Sequence, residues 1–214
     1  MQVIAINGSP RKNWNTAILL EHALQGAASQ GAATELFHLY ELQFKGCISC
    51  FACKLKNGKS YGRCALRDDL TPLLQKLEQA DAVIFGSPLY FSDVTGAMRS
   101  CIERMAFPYL VYDANYSSLF PKKIQLGFIY TMNVNEGRAA EMGYEQLFAR
   151  TEMPLQRCFG PLQSLRCYDT YQFADYARYV ASAFNEADKA EQRRRQFPED
   201  CRQAVALGER LVSY

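Results

Sequence analysis

The chain lacks an excess of charge of either sign: 24 basic side chains face 22 acidic ones over 214 residues, a net of +2. Bulk electrostatics therefore give no pull toward nucleic acid or an anionic membrane surface, and any basic site has to be local. Long hydrophobic runs are missing too. The longest uncharged apolar segments, near residues 82–92 and 124–135, fall well short of the ~20 residues that cross a bilayer. The opening "MQVIAINGSP" has no basic leader followed by an apolar stretch and a small-residue cleavage site, so the expectation is a soluble, cytoplasmic protein with no membrane partner. Histidine is scarce: His22 falls in a helical pattern and His38 in a strand pattern, neither with a neighbour that would make it a base. No internal repeat or low-complexity linker divides the chain. With 49% apolar residues at this length, a single domain over 1–214 is expected.

What is present is an alternation of strand and helix patterns. "QVIAI" (2–6) is a short β-branched run that ends in the breaker "NGSP", and "TAILLEHALQGAAS" repeats apolar residues at helical spacing. The pattern recurs in "TELFHLY" (34–40), the helix "DDLTPLLQKLEQA" (68–80), the strand "DAVIFGSP" (81–88) and the helix "TGAMRSCIERM" (95–105). A fourth strand is expected at 123–131, a fourth helix at 137–153, and a fifth, fainter strand at 162–170. The last third, 170–214, reads as a helical extension: one long helix from "YQFADYARYV" to "RRRQF", then a second that starts near Pro198. Five strands alternating with helices predict an α/β fold with an open, doubly wound, five-stranded parallel sheet covered on both faces. In such a sheet a ligand lies outside the carboxyl ends of the strands, so the loops after strands one, three and four carry the expectation of chemistry.

The first of these loops, "NGSPRKNWNTA", offers Ser9, Arg11, Asn15 and Thr16 beside a helix N-terminus. That set suits a phosphate monoester, although Ser, Asn and Thr also serve as plain helix caps. There is no GxGxxG and no Gly-Lys-Ser/Thr ending, which argues against a Rossmann dinucleotide site and a P-loop. The third loop, "GSPLYFSDVTGAM", places Leu89, Tyr90 and Phe91 where the chain should be exposed. Either a flat heteroaromatic ring lies against them, or the loop packs on its own domain or on a partner subunit. A phosphate at one loop and a ring at the other is a mononucleotide pose.

"GSPRKNWNT" followed by "ADAVIFGSPLYFSDVTGAMRSCIER" resembles the NADPH-dependent FMN reductase family, in particular the branch that includes the iron-sulfur flavoproteins. The resemblance covers about the first 135 residues and implies a flavodoxin-like fold. It implies that Ser9, Arg11, Asn15 and Thr16 hold the FMN phosphate, that Pro88, Leu89, Tyr90 and Phe91 line the ring with Ser92 and Asp93 nearby, and that Thr131, Met132 and Asn133 present further groups to the flavin. Trp14 departs from the family's small hydroxyl residue; its backbone N–H can meet the phosphate while its indole shields the ribityl chain or packs on a partner.

The run "CISCFAC" and Cys64 place four cysteines at 47, 50, 53 and 64. They resemble the compact motif by which the iron-sulfur flavoproteins hold a [4Fe-4S] cluster, but ten residues lie between Cys53 and Cys64, a wider gap than that motif shows. Free or packed thiols beside the flavin are the competing reading, and a structural zinc site is a third. Cys101, Cys158, Cys167 and Cys201 have no metal spacing and read as buried thiols. Glu103 and Arg104 are expected to form an internal ion pair or to touch a neighbouring subunit, and the aromatics Phe107, Tyr109, Tyr112, Tyr116 and Phe120 to cover the flavin or join an oligomer interface. The resemblance therefore implies an FMN-dependent oxidoreductase that takes hydride from NADH or NADPH and passes it to a small-molecule or protein acceptor, assembled as a homodimer or homotetramer. The alternative is an electron carrier with FMN and a cluster. In either case the flavin does the chemistry, and no side chain is expected to act as acid or base.

Overall fold

The computed structural model describes residues 1–213. Strands β1 (Gln2–Asn7), β2 (Ala33–His38), β3 (Ala82–Tyr90), β5 (Gln125–Thr131) and β6 (Leu162–Cys167) form a parallel sheet in the order β2-β1-β3-β5-β6. The two-residue β4 (Asp93–Val94) folds back antiparallel on the end of β3. Helices α1 (Asn15–Ser29), α2 (Leu70–Gln79), α3 (Gly96–Ala106), α4 (Glu136–Glu141), α5 (Tyr144–Phe159), α6 (Glu186–Arg195) and α7 (Phe197–Val212) complete the fold. The fold is flavodoxin-like, as expected. Its crossovers are helical because parallel neighbours cannot be joined by a tight turn.

β1 and β3 are adjacent but belong to opposite directions of winding, so strand order reverses between them and a crevice opens at their carboxyl ends. The central strands are buried on both faces, and two apolar cores result. One packs Ile4, Val83, Phe85 and Phe128 against Leu73, Met98 and Phe148 on α2, α3 and α5. The other packs Ala5, Ile84 and Ile129 against Leu20, Leu207 and Leu211 on α1 and α7. α1 and α7 approach until their backbones nearly touch: a Cβ on Gly208 would lie 1.8 Å from the Ala23 carbonyl oxygen, and one on Gly26 2.0 Å from that of Val205. Two glycines at that crossing are what permit the contact.

Three expectations are corrected. The helix expected over 137–153 is two helices, α4 and α5, because Gly143 adopts a left-handed φ of 72° between them. The fifth strand stops at Cys167, short of 170. The long C-terminal helix starts only at Glu186, capped by Asn185, whose side chain accepts from the N–H of Ala187 and Asp188. Residues 171–185 instead form an irregular strap held by its own aromatics: Phe173 stacks on Tyr179 with centroids 4.2 Å apart, and Tyr176 meets Tyr171 and Phe173 edge-on, each at 5.1 Å. That packing, and the hydrogen bonds the strap makes to the first loop, outweigh its helical pattern. Among the described residues no helix is long and apolar enough to cross a membrane.

Candidate functional site

The crevice is built from strand ends. After β1, Asn7 turns its side chain back on the loop and accepts from the Ser9 N–H at 2.9 Å, and Ser9 Oγ in turn accepts from the Arg11 N–H at 3.1 Å. These two short bonds shape the turn that delivers the chain to α1. Trp14 occupies the N-cap of α1, where its side chain makes no capping bond, while Asn15 and Thr16 in the first turn are buried. A buried helix start with no cap leaves its first N–H groups free for an anion. The Thr16 hydroxyl meets that of Thr131 at the end of β5, 2.8 Å away. Across the crevice, Thr95 caps α3 and donates to the Gly8 carbonyl at 2.7 Å, which ties the third loop to the first.

The three loops meet. Ser9, Arg11, Trp14, Asn15 and Thr16 line one cleft of about 130 Å³, together with Pro88, Leu89 and Tyr90 from the end of β3 and Thr131, Met132 and Asn133 from the end of β5. Phe91 is the exception among the expected residues: its backbone turns left-handed (φ 50°) ahead of β4 and its side chain stands fully in solvent, outside the cleft. The Asn133 side-chain oxygen is buried with no hydrogen-bond partner. Its backbone carbonyl is held by the buried Lys189 of α6 at 2.6 Å, so α6 sets the position of this residue.

Sequence reasoning missed the strap. Thr170, Tyr171 and Gln172 complete the cleft wall. The Tyr171 carbonyl accepts from Trp14 Nε1 at 3.0 Å and Asn15 Nδ2 at 2.8 Å, and the Gln172 carbonyl accepts from Arg11 at 2.6 Å. Arg193 of α6 donates to Asn15 Oδ1 at 2.7 Å, and the Arg11 guanidinium lies 3.8 Å over the Trp14 ring. Burial lowers the pKa of Arg11, against the influence of Tyr90 and Tyr179, yet an arginine remains a cation at any working pH. The indole of Trp14 is thereby turned toward the strap. The available signal was positional: the strap follows the end of β6, which is also a strand C-terminus.

A second group of side chains lies beside α3. Cys47, Cys50, Cys53 and Cys64 line one small apolar cavity, walled by Ile48, Phe51, Phe107 and Pro108. Its volume is about 20 Å³. Among the described residues no three His, Cys, Asp or Glu side chains gather round a single point as a lone metal ion requires. The turn that carries the first three thiols contains two left-handed residues, Ser49 and Phe51, both with φ 54°. Lys54 pins it to the loop after α3 by donating to the carbonyls of Phe107, Pro108 and Leu110. Burial pushes the Cys53 thiol up, against the charge of Lys54.

Arg104 is fully buried beside this cavity. It does not pair with Glu103, which accepts from the Cys47 N–H instead. Its Nε donates to Cys64 Sγ at 2.9 Å, and its two terminal nitrogens reach Asp68 at 2.8 and 3.1 Å and the carbonyls of Lys45 and Leu66. The aromatics after α3 do not cover the cleft of their own chain. Tyr109 and Phe120 pack on Phe159 at the other end of the sheet, and Phe107 sits edge-on between Phe51 and Tyr112. His38 has a partner after all, the Asn7 side-chain amide 3.0 Å from its Nδ1.

A parallel sheet in this order, with a cleft at the reversal of winding, defines a flavodoxin-like α/β protein. The chain belongs to the NADPH-dependent FMN reductase family, whose family model matches residues 1–158. It is 38% identical over 104 residues to an iron-sulfur flavoprotein of Methanocaldococcus jannaschii, across 49% of this chain and 51% of that protein. It is 40% identical over 104 residues to one of Archaeoglobus fulgidus, across 49% and 48%. The matches thus span about half the length of these relatives. Among solved structures it resembles an NAD(P)H:quinone oxidoreductase from Methanothermobacter marburgensis, with a TM-score of 0.72 at 16% identity over 100% of this chain and 98% of that one. It also resembles an FMN-dependent NADH-azoreductase from Bacillus anthracis in complex with FMN, with a TM-score of 0.63 at 11% identity over 97% and 99%. At such identities the likeness is one of fold.

Proposed function

We propose that the protein is an FMN-dependent oxidoreductase that accepts hydride from NADH or NADPH at the cleft and delivers the reducing equivalents to a separate acceptor. The observation that carries this reading is the convergence of three loops on one cleft that has free helix N–H groups at the start of α1 and, among its lining residues, Asn133 with its buried, unpartnered side-chain oxygen. These residues fit FMN. The first turn of α1, Ser9, Thr16 and Arg11 suit a phosphate dianion. The Asn133 oxygen needs a donor, which the ring imide of a flavin provides, and Leu89, Tyr90 and Met132 offer the apolar wall a flat ring requires. Bound there, FMN would supply two-electron chemistry with nicotinamides.

The chain's own task is then positioning. The Asn7, Ser9 and Thr95 bonds hold the phosphate loop in shape without a ligand, which lowers the ordering cost of binding. The strap closes the outer side of that loop through Arg11, Trp14 and Asn15. On this reading no side chain of the cleft has to donate or accept a proton, because the flavin would carry the chemistry. The test is direct: purified protein should bind FMN stoichiometrically and the yellow spectrum should bleach on anaerobic addition of NADPH or NADH. Protein that takes up no FMN at micromolar concentration would end this reading.

The second reading, an electron carrier with FMN and a [4Fe-4S] cluster, is favoured by the meeting of all four cysteines at one cavity. As donors they fit: Cys47, Cys50, Cys53 and Cys64 would hold the cluster, and the Arg104 N–H to Cys64 suits a thiolate. The room does not, since the cavity holds only about 20 Å³, so the turn bearing Ser49 and Phe51 has to move outward to admit one. Iron and sulfide analysis of anaerobically purified protein decides: about four irons per chain supports the carrier, and iron-free protein that turns over NADPH eliminates it.

A further inference from the structure

At the opposite end of the sheet from the cleft lies a cavity of about 220 Å³ that no part of the chain fills. Val83 at the start of β3 and Ile124 just before β5 contribute to it, whereas the cleft is made by Pro88 and Thr131 at the far ends of the same strands. Its floor is aromatic. Tyr109, Phe120 and Phe159 meet edge to face with centroids 4.8 to 5.7 Å apart, and Leu74 of α2 and Met105 of α3 form the sides.

The mouth is cationic. Lys59, Arg63 and Arg67 stand there, with Glu78 the one carboxylate among the lining residues. Glu78 is already satisfied, by Arg63 at 3.2 Å and the Tyr109 hydroxyl at 3.0 Å. Arg104 at the back has all five N–H donors engaged, and its charge is answered by Asp68. Lys59 and Arg67 make no ion pair among the described residues. The uncompensated charge at the mouth is therefore positive, above a floor that suits a flat ring.

We propose that this cavity is a binding site for a small aromatic anion of one or two rings, its ring on the Tyr109–Phe120–Phe159 floor and its carboxylate or similar group between Lys59 and Arg67. The proposal does not rest on the flavin reading, because the two sites lie at opposite ends of β3. It has a structural consequence, since Cys64, Arg104 and Pro108 line both this cavity and the thiol cavity. An occupant here touches the residues that hold Cys64.

The test is isothermal titration of the purified full chain with 2-naphthoate, the neutral 2-naphthol and inorganic phosphate. Saturable binding of 2-naphthoate is expected, at least tenfold weaker for 2-naphthol, with phosphate a poor competitor. The double variant K59A/R67A, both positions exposed and unpaired, should weaken 2-naphthoate at least tenfold, and L74W, which fills the cavity, should abolish binding. If L74W does not fold, as judged by circular dichroism, the exposed double variant decides. Absence of saturable binding, equal binding of the neutral ring, full displacement by equimolar phosphate, indifference to K59A/R67A, or a shift of the flavin spectrum that places the ligand at the cleft would each overturn the proposal.

Discussion

The Arg11→Ala substitution tests the phosphate end of the cleft with the fewest side effects, because Arg11 is exposed and lies outside both cores. In the free protein its guanidinium donates to the Gln172 carbonyl at 2.6 Å and stacks on Trp14. A charge-assisted bond to a phosphate dianion contributes about 1.5–3 kcal/mol, but forming it gives up a bond to a neutral carbonyl that contributes about 1 kcal/mol. The net loss on removing Arg11 is then about 0.5–2 kcal/mol, or roughly a 2- to 30-fold rise in the FMN dissociation constant. Riboflavin has no phosphate, so its affinity should stay within about twofold, which separates charge recognition from general damage to the cleft. Quenching of flavin fluorescence measures both constants. Equal weakening of FMN and riboflavin, or no weakening of either, would refute the placement of the phosphate at the first loop.

Arg104→Met should lower stability by about 3–5 kcal/mol, since it strands Asp68 and two carbonyls inside the fold, and at this chain length that is a fall of roughly 6–20 °C in a thermal melt. Burial alone would raise Asp68, but the hydrogen bond and charge of Arg104 outweigh it and hold the carboxyl below its ordinary value. Its contribution is therefore present above the unfolded carboxylate pKa near 4 and lost as pH falls through the lower folded value, so the gap between wild type and variant in urea titrations should narrow only in that acidic window. Gly208→Ala places a methyl 1.8 Å from the Ala23 carbonyl and should cost about 3 kcal/mol or prevent folding, read by urea denaturation. Phe91→Ala should leave the FMN dissociation constant within about twofold, as its side chain is fully exposed outside the cleft. Iodoacetamide at pH 8 should label the exposed Cys50 and spare Cys101, which is fully buried and whose thiol burial pushes up to about 12, as peptide mapping would reveal.

Much of the fold was legible because local pattern and tertiary role agree. "QVIAI" and "DAVIFGSP" are apolar on both faces, and they become the two central strands on either side of the reversal in strand order. Where pattern and packing disagree, packing prevails. Residues 171–185 carry a helical pattern, yet their carbonyls accept from Arg11, Trp14 and Asn15, residues more than 150 positions away. Phe91 reads as part of the ring wall from its neighbours, but a left-handed backbone turns it to solvent. Glu103 and Arg104 are adjacent in sequence and point to different partners because neighbours on a helix do not share a face.

By itself the sequence determined the alternation of strand and helix, the residue types carried by each strand-end loop and the spacing of the four thiols, all of which are short-range patterns. Only the tertiary structure decided that the strap closes the first loop, that the four thiols share one tight cavity with a buried arginine donating to Cys64, and that an unfilled aromatic pocket lies at the far end of the sheet. The reason is that each of these depends on which distant backbone groups and side chains come within hydrogen-bonding or van der Waals reach, and that is set by how the layers pack rather than by local sequence preference.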